Sequence, residues 1–498
     1  MGIPSYFSYI IKNYPNIIRK LDDCEKFHHL LMDCNSIIYD AYNSIEKEHS
    51  QNPIDVSKIE EYIINRVIEN IKEIIFYISP KYTVFITFDG VAPLAKMEQQ
   101  RKRRYKSVLM DNIEKRKRIW NTASITPGTL FMDKLSKSMY NAFKHTEYVF
   151  GIKKMNISCS DEEGEGEHKM FQYIRDNNVK NDHVAIYGLD SDIMMLSLLH
   201  IEMTNGIKII REAPEYMKKT ERMLLDIGRL YNRIDEIMPV DDYIFLCFLL
   251  GNDFMPHNIS LNIRRNGIER IIETYKKINR KMVKNTEIEW NNFYEYISEL
   301  ARDEEKIIIE ENKERERMEK EWSRREEKDI LLNLPILYRQ QERYINVESK
   351  GWESRYYKEL LKIDPTEENI REVCLNYLEG LEWVLKYYKE GKKGRWKYKY
   401  NYGGLLKDIK KNMKKRNRNE KEEKGINVYI QLAYVLPISQ KDLIPNERIK
   451  EIMEKKEIYT NANENELNSA YCRYIWEAHP NLPNINIEML ENWNIEIE

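Results

Sequence analysis

Three short apolar runs in this chain each finish on an aspartate: His29-Leu-Leu-Met-Asp33, Tyr82-Thr-Val-Phe-Ile-Thr-Phe-Asp89 and His183-Val-Ala-Ile-Tyr-Gly-Leu-Asp190. Runs this short, rich in branched and aromatic residues, read as strands buried on both faces. Helical periodicity separates them, notably over 56–78 and 129–146. Such alternation predicts an α/β fold with a mostly parallel sheet and right-handed crossovers. In open sheets of this class the ligand crevice lies beyond the carboxyl ends of the strands. Three strands therefore deliver three carboxylates to one rim.

Four more acids stand in similar settings. Asp192 follows Asp190 in Gly188-Leu-Asp-Ser-Asp192, and Glu165 and Glu167 lie in Glu163-Gly-Glu-Gly-Glu-His168, just before the amphipathic stretch 169–174. Asp253 comes directly after a buried helix expected over Asp241–Gly251. Taken singly, each acid reads as an ordinary cap or turn residue. Capping alone does not put acids at the ends of all three main strands. Clustered carboxylates repel one another, and a hard divalent cation is the usual reason to gather them. Two Mg²⁺ (or Mn²⁺) ions about 4 Å apart can serve both oxygens of an in-line phosphoryl displacement. Asp33, Asp89, Glu165, Glu167, Asp190, Asp192 and Asp253 are therefore the candidate metal ligands and catalytic residues.

The charge balance, 80 basic against 82 acidic residues, is silent about partners, but its placement is not. Between Arg101 and Arg118 stand nine Lys/Arg and two acids. Composition alone makes this a solvated helix face or an import-like run. Its position soon after Asp89 favours another use. Lys96, Gln100, Arg103 and Arg104 recur at helical spacing and suit a terminal phosphate, gripped by charge-assisted bonds. Residues 115–118 are placed to follow an RNA backbone. Further on, Arg395-Trp-Lys-Tyr-Lys-Tyr-Asn-Tyr402 interleaves aromatic and basic residues. Trp396 is its best candidate for stacking a base, and the tyrosines read equally well as packing.

The length allows about three domains. A charged helical linker over 301–345 is expected to join two lobes, 1–300 with a basic helix near 100–120 and 346–498. Residues 301–328 read as a solvated helix and 407–424 as a charged insertion. The six cysteines form no CxxC pair and have no histidines at zinc spacing, so a reducing compartment is expected. Neither a signal peptide nor an apolar run of membrane-spanning length is present, so a soluble, cytoplasmic protein is expected. The basic runs are equally compatible with nuclear residence.

These residues resemble the Xrn family of 5′→3′ exoribonucleases. The resemblance is carried by Met1-Gly-Ile-Pro-Ser-Tyr-Phe7, Met32-Asp-Cys-Asn35 and Phe88-Asp-Gly-Val-Ala-Pro93 running into Lys96–Arg104. It continues through Ile125-Thr-Pro-Gly-Thr129, Gly164-Glu-Gly-Glu-His-Lys169, Tyr187-Gly-Leu-Asp-Ser-Asp192 and Phe248-Leu-Leu-Gly-Asn-Asp-Phe254. Gly351-Trp352, Gly380-Leu-Glu-Trp-Val-Leu-Lys-Tyr387, Leu436-Pro437 and Trp476–Pro483 are similar to the family's second region. The resemblance implies a PIN-like, 5′-nuclease-type sheet with a helical second region packed against it. It implies that the seven acids bind metal and that Lys96, Gln100, Arg103 and Arg104 form a 5′-monophosphate pocket too confined for a cap or triphosphate. Trp396 matches a base-stacking aromatic, and the helix near Lys102 resembles one that helps exclude duplex RNA.

Two departures stand out. Tyr39 falls where cellular members carry a stacking histidine, and Glu163 replaces a proline. The chain reads as a minimal form without long C-terminal domains, of the kind expected from a large DNA virus, and its Lys, Ile, Asn and Tyr usage suits an AT-rich genome. The expected partner is single-stranded RNA with a 5′-monophosphate, and no motif indicates protein partners such as decapping factors. Two rival readings are a structure-specific 5′ flap-type DNA nuclease and a noncatalytic RNA-binding scaffold.

Overall fold

The computed structural model describes residues 2–19, 26–212, 222–323, 327–415, 425–460 and 467–495. Seven strands build the main sheet: β1 (Ile18–Arg19), β2 (His29–Asp33), β3 (Thr83–Thr87), β4 (Lys154–Ser158), β5 (His183–Tyr187), β6 (Gly206–Arg211) and β7 (Met223–Asp226). Their order is β1-β7-β6-β5-β2-β3-β4. From β6 to β4 all neighbours are parallel, while β7 and β1 add an antiparallel edge. The three aspartate-terminated runs are the adjacent central strands β5, β2 and β3. In register, Asp33 faces Thr87 of β3 and Met32 faces Tyr187 of β5, so the three chains leave the sheet side by side.

Both faces of the sheet are covered. Leu30, Met32, Val84, Ile86 and Ala185 pack under the helices Asn35–Gln51, Ile59–Ile78 and Leu130–Phe143. On the other face, Leu31, Val184, Ile186, Ile207 and Ile209 meet the helices Gly166–Asp176, Asp192–His200, Val240–Cys247 and Glu367–Glu390. Alternate strand residues thus feed opposite cores, as strand geometry requires. The rest of the second region is largely helical.

Two expected helices start where local caps place them. The Thr129 hydroxyl accepts from Met132 N–H at the start of Leu130–Phe143, and Asp55 accepts from Ser57 N–H in the turn before Ile59–Ile78. The helix expected over 241–251 begins one residue earlier, at Val240, and tightens into a 3₁₀ turn, Phe248–Leu250. Asp242 does not cap it. Its carboxylate accepts from the N–H groups of Met282 and Val283, at 3.0 and 2.8 Å, and from the Tyr275 hydroxyl at 2.8 Å.

The stretch read as a solvated linker is largely the helix Glu304–Trp322, and three of its residues, Glu304, Ile308 and Arg315, are buried. Glu304 accepts from Leu406 N–H at 2.7 Å and so caps the helix Leu406–Asn412. Arg315 bonds Glu342 at 2.6 Å and the Cys472 carbonyl at 3.0 Å. This helix is a strut packed against the second region. Of the insertion expected over 407–424, residues 407–415 are described and bury Ile409, Asn412 and Met413, while the remainder lies outside the described residues. The basic helix is continuous from Leu94 to Glu114 and buries Tyr105 and Leu109, so it projects only at its end. Cys34, Cys159, Cys247, Cys374 and Cys472 are free and buried, and Cys24 lies outside the described residues. Among the described residues no helix is long and apolar enough to cross a membrane.

Candidate metal and phosphate site

Two glycines allow the acidic loops to close on one another. A Cβ on Gly90 would lie 1.7 Å from the Glu162 carbonyl oxygen, and the Gly90 N–H donates to the Gly164 carbonyl at 2.8 Å. A Cβ on Gly166 would come within 2.9 Å of Asp33 Oδ1. Gly166 opens the helix Gly166–Asp176, and its N–H donates to Asp89 Oδ1 at 2.7 Å. A helix N-terminus favours nearby anions. This one carries Glu165 at its cap and Glu167 in its first turn. Thr87 Oγ1, bonded to the Met32 carbonyl at 2.8 Å and the Gly166 carbonyl at 3.0 Å, fixes the helix against the strand ends.

Asp33, Glu167 and Asp190 each present a carboxylate oxygen, and these oxygens lie within 4.8 Å of one another. Glu165, Glu167 and His168 meet the same distance. Asp192 is buried beside them, and the Asp253 side chain keeps 4% of its surface exposed. Tyr388 donates to Asp192 at 2.8 Å, Tyr387 donates to Glu165 at 2.6 Å and the Gly2 N–H donates to Asp253 at 3.1 Å. Both tyrosines come from the helix Glu367–Glu390, so the second region completes the acidic site.

The electrostatics follow from burial and like charge. Burial pushes the Asp33 carboxyl well up, and the charges of Asp89 and Asp190 add to it. Burial, reinforced by Asp253, takes Asp192 up to about 7. Burial also opposes ionisation of Asp253, but Lys96 outweighs it and holds that carboxyl below the usual range. Lys96 Nζ lies 2.5 Å from Glu165 and 2.9 Å from Asp253. Expected to hold a phosphate, it serves in this arrangement as a buried countercharge.

A cavity of about 170 Å³ joins the acids to the basic helix. It is lined by Asp33, Asp89, Glu165, Glu167 and Asp190 together with Lys96, Gln100, Arg103, Arg104 and Tyr39. The Tyr39 hydroxyl accepts from Arg103 at 3.3 Å and Arg104 at 3.5 Å. Arg104 is anchored further by the Ile125 carbonyl at 2.8 Å and Thr126 Oγ1 at 2.9 Å. Gln100 Oε1 is buried and accepts no hydrogen bond from the described residues. Burial raises the Tyr39 phenol, yet Arg104 and Arg103 together bring it down to about 8.

Trp396 does not line this cavity. Its ring stacks on Trp383 at 5.3 Å between centroids and packs over Gly380, where a Cβ would lie 2.5 Å from the indole. Of the basic residues 115–118, Arg116 pairs with Glu46 at 2.9 Å and Arg118 with Asp111 at 2.8 Å. The sequence reading passed over Gly2, Asn35, Tyr387 and Tyr388 as site residues. Asn35 Oδ1 accepts from Asp89 N–H at 3.3 Å. Gly2 has no room for a side chain, since a Cβ there would lie 2.3 Å from Asp192 Oδ1. The usable signal was that all four fall in or beside quoted motifs.

Comparison with known proteins identifies a family. Residues 1–213 match the family model described as XRN 5′-3′ exonuclease N-terminus, and residues 233–334 and 336–496 match the Xrn1 helical domain. The chain belongs to the Xrn 5′-3′ exonuclease family. This Xrn chain is 25% identical to the 5′-3′ exoribonuclease 2 homolog of Drosophila melanogaster, over 89% of this chain and 65% of that protein. It is 25% identical to 5′-3′ exoribonuclease 1 of Homo sapiens, over 89% of this chain and 31% of that protein. It thus spans less than two thirds of these relatives. The solved catalytic core of Rad2 in complex with DNA substrate aligns at 14% identity, over 60% of this chain and 72% of that one, with a TM-score of 0.35. That likeness is too low to carry an argument.

The donor set of the Xrn chain suits a hard divalent cation. Asp33, Glu167 and Asp190 offer only oxygen, within reach of one centre, and their mutual repulsion is what such a cation relieves. Around Glu165 and Asp253 the Lys96 ammonium supplies part of that compensation.

Proposed function

We propose that this Xrn chain is a processive 5′→3′ exoribonuclease of RNA turnover, acting in the cytoplasm. It hydrolyses single-stranded RNA carrying a 5′-monophosphate and releases nucleoside 5′-monophosphates. The observation that carries the reading is one cavity lined both by five carboxylates and by Gln100, Arg103 and Arg104, with Lys96 paired to Glu165 and Asp253.

Arg103 and Arg104 offer planar, permanently charged donors to a terminal phosphate, displacing the weak contacts to Tyr39. Gln100 adds a neutral amide, and the Ile125 and Thr126 contacts keep Arg104 aimed at the cavity. Asp33, Glu167 and Asp190 would hold Mg²⁺ or Mn²⁺, with Glu165 and His168 available toward a second ion. When bound, the cations supply charge neutralisation at the scissile phosphate and a nucleophilic water. Tyr387 and Tyr388 hold Glu165 and Asp192 in place through their hydroxyls. Each cut leaves a new 5′-phosphate, the same group that the basic wall accepts, so the strand can advance without release.

The test compares decay of one RNA bearing a 5′-monophosphate, 5′-hydroxyl, 5′-triphosphate or cap. The monophosphate form is expected to decay at least tenfold faster, and only with divalent metal. Equal decay of all four forms would overturn the phosphate pocket.

A further inference from the structure

The helix Leu94–Glu114 turns two faces to different partners. At about 3.6 residues per turn, Lys96, Gln100, Arg103 and Arg104 share the side toward the cavity, and Glu98, Arg101, Lys102 and Tyr105 share the opposite side. Away from the cavity the helix packs on the second region, where Leu94 and Met97 share a core with Leu432 and Tyr434.

Arg101 is out of place in such packing. Only 1% of it is exposed. Nη1 donates to the Pro483 carbonyl at 2.8 Å, and the guanidinium lies over the Tyr105 ring at 5.7 Å and the Tyr434 ring at 5.8 Å. Nε and Nη2 have no hydrogen-bond partner among the described residues. The acid three residues back, Glu98, is engaged elsewhere: Tyr434 donates to it, and Lys397 lies at 3.4 Å. Burying a cation with donors left idle is costly, and an apolar side chain of similar volume would suit the core as well or better. Stability alone does not account for a guanidinium there.

What the guanidinium fixes is the rotation of the helix. Tyr105 lies on the same helix, but Pro483 and Tyr434 belong to the second region. A turn about the helix axis of roughly 10°, at a radius of about 5–6 Å, moves a side-chain tip by about 1 Å. Errors of that size can cost about 100-fold where a substrate must be held in place. On the cavity side Arg103 has a 3.3 Å contact to Tyr39, so its aim depends on the helix that carries it.

We infer that Arg101 is a positioning residue for the terminal-phosphate pocket. By gripping Tyr434 and Pro483 from behind, it sets the rotation at which Gln100, Arg103 and Arg104 meet a 5′-phosphate. The inference rests on the exoribonuclease reading of the cavity.

The test measures kcat/KM of the full chain with Mg²⁺ on 5′-monophosphate and 5′-hydroxyl RNA of one sequence. Their ratio cancels any loss of folded enzyme. Arg101→Met is expected to lower the ratio about 10-fold, through a higher KM for the monophosphate RNA. Arg101→Lys keeps the charge but gives up the planar face, and should lower it about 3-fold; it carries the same test if the Met chain does not fold. In an Arg103→Ala/Arg104→Ala background, Arg101→Met should change the ratio by less than about 2-fold, because the groups it aims are gone. An unchanged ratio in every variant that folds, with both RNAs slowed alike, marks a purely structural arginine and overturns the inference. A full further loss in the double-alanine background does the same. Wild-type indifference to the 5′ end would remove the phosphate pocket and this inference together, whereas a wild-type preference that survives Arg101→Met removes the inference alone.

Discussion

The hydroxyl of Tyr39 rests between Arg103 and Arg104, and its ionisation governs how freely those guanidiniums meet a phosphate. Burial opposes the phenolate, but the two arginines win and set the phenol at about 8. An acidic group gains charge as pH rises, so above pH 8 the phenolate holds both arginines and repels an incoming anion. KM for 5′-monophosphate RNA is therefore expected to climb about tenfold per pH unit above 8, with kcat little changed. The Tyr39→Phe profile should stay flat over the same interval, and steady-state kinetics from pH 7 to 9.5 decide it. At this scale the sequence was informative where side chains follow strands. Asp33, Asp89 and Asp190 sit at one rim because β2, β3 and β5 are adjacent and in register. It was less informative where a partner lies far along the chain. Lys96 reads as a free cation until Glu165 and Asp253 are seen around it, and Tyr387 and Tyr388 read as packing until their hydroxyls reach Glu165 and Asp192.

Among the elements, the helix Glu304–Trp322 shows how composition misleads. Its dense charge suggests solvent, yet Arg315 and Arg339 converge on the buried carboxylate of Glu342, at 2.6 and 2.5 Å. The Tyr471 N–H adds a bond to the same carboxylate at 2.8 Å. Nothing in the local pattern of 301–328 announces partners at 342, 471 and 472. Glu342→Ala leaves two enclosed guanidiniums without their anion and should cost about 3–5 kcal/mol of stability. Urea unfolding measures this, and a loss under 1 kcal/mol would show the cluster to be solvated after all. The loop pair at Gly90 makes a sharper demand. Gly90→Ala would put a methyl group 1.7 Å from the Glu162 carbonyl, so the acidic loops must separate. Hydrolysis should fall at least 100-fold, measured beside the thermal midpoint to separate misplacement from unfolding.

For the molecule as a whole, the collected acids repel one another, and a bound cation would relieve that repulsion. With Mg²⁺ at about 100 times its dissociation constant, the folded state should gain about 2.7 kcal/mol, seen as a higher Tm that chelator reverses. Asp190→Asn should lose most of that gain. A Tm indifferent to Mg²⁺ in the wild-type chain would count against cation binding at Asp33, Glu167 and Asp190. The α/β class and the largely helical character of the second region were legible from periodicity and motif order. That the second region packs against the sheet followed from the resemblance, but the contacts that interlock them did not, because they join side chains nearly two hundred residues or more apart. Tyr387 and Tyr388 reach across to carboxylates carried by the sheet domain, and that contact has a practical corollary. Expressed as separate polypeptides, neither half would own a finished reaction chamber. Each would also expose apolar surface, because the helix that carries both tyrosines shares one hydrophobic core with the sheet.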